Sequence, residues 1–139
     1  MSSIDWDKLR KQVAVGRAMI HHSIVAFRSL LDFGNFLQLD QEPLEAIRDL
    51  APYTVHTHFK DVKKVPRGTP DSFPPVRGDF ALLGCLMGEG NVDVRGGVQI
   101  LRAAGYDGYL TLEFEAPTDE KEGVRFCVDR AKAILEELG

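Results

Sequence analysis

YTVHTHFKDV, residues 53–62, carries the pattern on which the fold turns. It is rich in β-branched and aromatic residues, a composition that reads as a strand. Successive side chains of a strand point to opposite faces. His56, His58 and Lys60 therefore share one face, and Val55, Thr57 and Phe59 share the other. Strands of a helix-covered parallel sheet usually read as unbroken apolar runs. A strand with one polar face departs from that rule. Its polar side needs partners, water or a metal, because a buried unpaired polar group is costly.

The chain after this strand is punctuated. Residues 61–81 contain four of the seven prolines, with Gly68 and Gly78, and predict a long loop. Loops of that length in compact domains are usually functional or mobile. FALLGCLM, residues 80–87, is a short apolar strand candidate, ended by Gly88 and Gly90. Asn91 or Asp93 can cap a helix running to about Ala104, although Gly96 and Gly97 weaken its first turns. Gly105 suits a left-handed helix end. GYLTLEFE, residues 108–115, is a second strand with a polar face. Thr111, Glu113 and Glu115 lie on that face, opposite Leu110, Leu112 and Phe114. A last helix spans about residues 119–138, with Val124, Cys127, Val128, Ala131, Ile134, Leu135 and Leu138 near one side.

Before the central strand, residues 43–50 predict a short helix with Pro43 in its first turn and Pro52 as a stop. LLDFGNF, residues 30–36, gives a short buried strand over 29–32, ended by Gly34 and Asn35. Residues 24–31 are apolar and either extend a helix or begin that strand. Residues 4–20 have helical spacing, with Ile4, Leu9, Val13 and Ile20 near one face. Strands thus alternate with helices, which means α/β architecture and about four parallel strands with helical crossovers. A closed barrel of eight such units needs roughly 250 residues. A chain of 139 residues is therefore an open sheet or half a barrel.

Composition narrows the partners. Net charge is −4, which leaves no electrostatic footprint for nucleic acid, and the basic group Lys60, Lys63, Lys64 and Arg67 reads as a solvated loop. There is no apolar run of membrane-spanning length and no apolar stretch of a secretory leader near residue 1, so the expected location is the cytoplasm. Cys85 and Cys127 lie far apart and form no CxxC pair, so both read as reduced thiols.

Asp32, His58 and Glu113 each fall near the C-terminal end of a strand, where parallel β/α barrels place their active sites. Carboxylate and imidazole donors suit manganese, magnesium, cobalt or zinc. The simpler alternative is that these groups only pair with one another.

LLDFGNF, HTHFKD, GEGNVD and AAGYDGYLTLEFE together resemble the xylose isomerase-like sugar phosphate isomerase/epimerase family, in order and spacing as well as in letters. The likeness covers roughly residues 30–138. It implies an eight-stranded barrel whose metal is held by two Glu, one Asp and one His. Asp32 matches the strand-five Asp, His58 the His of an H-x-K-D segment, and Glu113 the strand-eight Glu, which also moves the substrate proton. Strands one to four and the strand-four Glu have no counterpart. The resemblance thus implies the C-terminal half of a TIM (β/α)8 barrel over residues 30–139, following a helical segment, 1–29, without family pattern. It places Asn35, His56 and Lys60 as contacts for a small sugar or sugar phosphate, and leaves Glu115 as a possible further oxygen.

The implied activity is isomerisation or epimerisation of a small sugar through carboxylate-mediated proton transfer. A homodimer or a partner chain would complete the barrel, since uncovered strand edges invite pairing. The alternative is a non-catalytic barrel remnant with a vestigial metal site. A DNA-repair endonuclease shares this barrel, but the acidic balance and the lack of further ligand histidines argue against it. DFG at residues 32–34 lacks the other segments of a protein kinase. Gly88-x-Gly90 lacks the third glycine of a phosphate loop. His21 and His22 are adjacent and diverge on a helix, so they do not suit one metal.

Overall fold

A computed structural model of the protein describes residues 28–139. The helix expected over residues 4–20, the segment 1–29 up to residue 27, and the pair His21 and His22 lie outside the described residues.

Among the described residues, five strands and three α-helices follow one another: β1 (Ser29–Asp32), α1 (Pro43–Leu50), β2 (Thr54–Phe59), β3 (Asp61–Val65), β4 (Ala81–Cys85), α2 (Val94–Ala103), β5 (Leu110–Leu112) and α3 (Glu120–Leu138). A 3-10 turn, Asn35–Leu39, follows β1. The strand over 29–32 and the helix over 43–50 form where the sequence predicts them. Pro43 starts α1, a position where the missing N–H costs nothing. Asp93 caps α2 by accepting the Gly96 N–H at 2.8 Å. Asp119 does the same for α3 through Glu122 at 2.9 Å. Gly105 follows α2 at φ +80°, the left-handed conformation that a side chain would resist.

β1, β2 and β5 form a parallel sheet with β2 in the centre. Each connection between its neighbours passes through a helix, as parallel pairing requires. Leu31, Phe33, Ile47, Phe59, Leu82, Val98, Leu101, Cys127 and Ile134 belong to one core shared by sheet and helices. Thr57 is fully buried at the sheet centre and donates its hydroxyl to the Tyr109 carbonyl at 3.1 Å. Among the described residues three parallel strands, where about four were expected, form with their helices a partial α/β barrel.

Two details differ from expectation. Residues 61–81 are not loop throughout, because Asp61–Val65 forms β3. The apolar strand at 81–85 forms too, yet it pairs antiparallel with β3 in a separate two-stranded sheet. No helix separates β3 from β4, so the chain simply turns back on itself. The turn is the proline-bearing stretch, tied by a bridge between Phe73 and Leu82. Consequently β5 pairs directly with β2 and no parallel strand stands between them. No helix among the described residues is long and apolar enough to cross a membrane.

Candidate metal centre

The parallel register sets the site. Asp32 pairs with His58 across β1 and β2, and His58 pairs with Thr111 across β2 and β5. The ladder continues one step past β5, where the Glu113 N–H donates to the Phe59 carbonyl at 3.0 Å. Side chains two apart share a face, so Glu113 stands just above Thr111. Three chemistry-bearing side chains therefore meet at the C-terminal tips of three adjacent strands. One ligand atom from each of Asp32, His58 and Glu113 lies within 4.8 Å of the others.

The two oxygens of Asp32 have different duties. Oδ1 accepts the N–H groups of Gly34 at 2.9 Å and Asn35 at 3.1 Å, which fixes the turn after β1. Oδ2 faces the cluster, 3.7 Å from Lys60 Nζ. His58 Nδ1 lies 3.7 Å from Glu113 Oε2, beyond direct hydrogen bonding. Lys60, only 6% exposed, reaches Glu113 Oε2 at 3.2 Å and Glu115 Oε2 at 3.0 Å.

Proton affinities follow from this crowding. Burial pushes the Asp32 carboxyl up to about 6 against the pull of Lys60, and the hydrogen bond and charge of Glu113 add to the rise. Burial also acts on Glu113, but the hydrogen bond from Asp32, the Lys60 ammonium and His58 together hold that carboxyl below its ordinary value. Burial would lower Lys60, yet the charge of Asp32, then Glu115 and Glu113, raises it. Asp32 thus holds a proton more readily than Glu113 does, and its neighbours favour the charged form of Lys60.

The donor set fits a divalent cation. Metal–oxygen and metal–nitrogen bonds of about 2.1 Å put opposite ligands about 4.2 Å apart. The three atoms lie within 4.8 Å of one another, so any excess over that span is at most about 0.6 Å, within the reach of side-chain rotation. Two carboxylate oxygens and one imidazole nitrogen are the donors that manganese, magnesium, cobalt and zinc accept.

Asn35 sits beside the cluster in the turn after Asp32, where its Oδ1 accepts from Gln38 Nε2 at 2.9 Å. His56 lies deeper on the same strand face. Its Nε2 is 3.1 Å from Thr111 Oγ1, and its ring meets that of His58 edge-on, centroids 5.3 Å apart. Neither is among the convergent ligand atoms.

The GEGNVD segment has a structural duty that its letters do not announce. Asp61, at the start of β3, accepts N–H bonds from Gly88 at 2.8 Å, Gly90 at 2.9 Å and Val92 at 3.1 Å. The segment is thereby strapped to the start of β3, directly after Lys60.

The sequence matches the family of xylose isomerase-like TIM barrels over residues 21–137. The chain belongs to that family. A crystal structure described as a xylose isomerase domain protein from Planctomyces limnophilus is similar as well. It is 30% identical and superimposes with a TM-score of 0.51, over 80% of this chain and 36% of that one. The present chain thus spans about a third of that neighbour's length. No curated protein matches. Among xylose isomerase-like TIM barrels, this chain is a partial barrel whose strand tips carry the Asp, His and Glu cluster described above.

Proposed function

We propose that the protein is a metal-dependent isomerase or epimerase of a small sugar or sugar phosphate, with Asp32, His58 and Glu113 as metal ligands. The observation that carries this reading is the meeting of those three side chains within 4.8 Å at adjacent strand tips. Membership of the xylose isomerase-like family supports it. A bound divalent cation would polarise the substrate carbonyl and hydroxyl, and so acidify the neighbouring C–H.

The chain's own residues supply the rest. Glu113 is held as a carboxylate and takes the substrate proton, then returns it to the adjacent carbon or the opposite face. Asp32 is fixed by the turn through Oδ1, so its Oδ2 is presented without reorganisation. Asn35, His56 and Lys60 border the cluster and are the proposed contacts for sugar hydroxyls or a phosphate.

Catalysis on this reading needs a second chain. Among the described residues, β1 and β5 each pair with β2 alone. Val55 at the start of β2 is 52% exposed and Tyr109 just before β5 is 83% exposed, which is consistent with a covering partner. A homodimer or a distinct chain would close the barrel and bring the second proton-transfer group. A second reading, a non-catalytic remnant with a vestigial metal site, is favoured by one observation. Lys60 lies 3.7 Å from Asp32 Oδ2 and 3.2 Å from Glu113 Oε2, where its ammonium can balance their charge in place of a metal.

The deciding experiment incubates the manganese-loaded protein with aldoses and ketoses in deuterium oxide and follows exchange beside the carbonyl by NMR. Exchange that disappears in Glu113→Gln supports the enzyme reading. Exchange that survives in Glu113→Gln, or its absence from the wild-type protein at every oligomeric state, contradicts it.

A further inference from the structure

We propose that Lys60 is the internal counter-ion of the metal-free centre, and that its ammonium withdraws onto Glu115 when a divalent cation binds. The inference rests on the metal-site reading above and concerns how the ammonium beside the proposed ligands would respond to a metal.

Three carboxylates face one ammonium: Asp32 is buried, Glu113 half-buried and Glu115 exposed. Lys60 Nζ lies 3.0 Å from Glu115 Oε2, 3.2 Å from Glu113 Oε2 and 3.7 Å from Asp32 Oδ2. The last two belong to ligand residues, and Glu113 Oε2 is also the oxygen that faces His58 Nδ1. A metal bonding that oxygen at about 2.1 Å would share it with the ammonium. Two cations so placed repel strongly in a poorly solvated site. Either the ammonium moves or the metal stays out.

The site contains a place for it to go. Glu115 lies two residues beyond Glu113 on the same face, makes the shortest of the three contacts, and is not one of the three convergent ligands. Rotation about the terminal lysine bonds can keep Glu115 while releasing Asp32 and Glu113. The lysine stem itself is guided. It passes so close to Gly34 that a Cβ there would lie 2.8 Å from Lys60 Cγ. Gly34 has φ −79°, which any residue adopts, so room for the stem is what favours glycine. Lys60 is therefore a positioning residue for the cation site, and Glu115 is its dock.

Manganese binding measured by titration calorimetry tests this on the whole chain, with thermal melts of each variant as a folding control. Lys60→Gln is expected to bind manganese roughly tenfold more tightly or better, because one competing charge is gone. Gly34→Ala, which pushes the stem from its lane, is expected to move affinity in the same direction. Glu115→Gln is expected to weaken binding several-fold, since the ammonium then falls back on Glu113. In the Lys60→Gln/Glu115→Gln double variant that weakening should vanish. Unchanged or weaker binding by Lys60→Gln overturns the proposal, as does a Glu115→Gln loss that persists in the double variant. The latter would make Glu115 a ligand. Should Lys60→Gln fail to fold, Glu115→Gln carries the test, its side chain being 39% exposed and nearly isosteric; unchanged affinity there overturns the proposal. Absence of binding by the wild-type protein and every variant overturns the metal reading itself, and this one with it.

Discussion

Replacing Asp61 by alanine is expected to destabilise the protein by about 2–6 kcal/mol. The residue is 5% exposed and its carboxyl accepts three backbone N–H groups, at 2.8, 2.9 and 3.1 Å. Burial raises its proton affinity, and the bonds to Gly90, Gly88 and Val92 oppose that rise. The three donors differ in what happens once the acceptor is gone. Gly88 is exposed and Gly90 partly so, and water can replace the carboxylate at both. Each of those losses is the net value of a hydrogen bond, about 0.5–1.5 kcal/mol. Val92 is buried, so its N–H is left without a partner, at about 1–3 kcal/mol. Their sum is a large fraction of the roughly 5–15 kcal/mol that holds a domain folded. Urea unfolding followed by circular dichroism measures the change, with a lower midpoint and an unchanged slope. Amide hydrogen exchange should show Gly90 and Val92 losing protection first. A change below about 1 kcal/mol, with those amides still protected, would refute the idea that Asp61 straps the segment.

Other outcomes follow from the same geometry. Metal affinity should fall by roughly tenfold per pH unit below about 6, because a metal must displace the proton that burial holds on Asp32, and it should level off above that value. Manganese titrations across that range check it, and an affinity independent of pH would contradict it. Burial pushes the Cys85 thiol up to about 12 and raises Cys127 as well. Both should resist iodoacetamide at neutral pH until urea unfolds the protein, which mass spectrometry reads directly. Leu101→Ala, at a residue of α2 that is 1% exposed, should cost about 2–5 kcal/mol in urea unfolding without abolishing metal binding at saturating manganese.

Much of the fold was legible because its signals are local. Pro43, Asp93, Gly105 and Asp119 mark helix ends by their own chemistry, and each holds that position. The polar faces of β2 and β5 pointed to a shared site because alternation along a strand is a property of the backbone. Their tips, with that of β1, bring Asp32, His58 and Glu113 together. What sequence reading missed depends on long-range geometry. DVKKV was absorbed into a proline-rich loop, although Val62 is buried and every residue of the run pairs with β4. Nothing in the letters says that FALLGC turns back on that run instead of joining the parallel sheet. The role of Asp61 was equally hidden, since its partners are backbone N–H groups 27 to 31 residues away. Lys60 was recognised as a polar-face residue. Its commitment to three carboxylates became visible only when β2 and β5 were placed side by side.

The most direct test of the central claim is anomalous diffraction from crystals grown with manganese. The account predicts one strong peak within bonding distance of a carboxylate oxygen of Asp32, a ring nitrogen of His58 and a carboxylate oxygen of Glu113. Saturating manganese that leaves this position empty, with Lys60 still seated between Asp32 and Glu113, would contradict it.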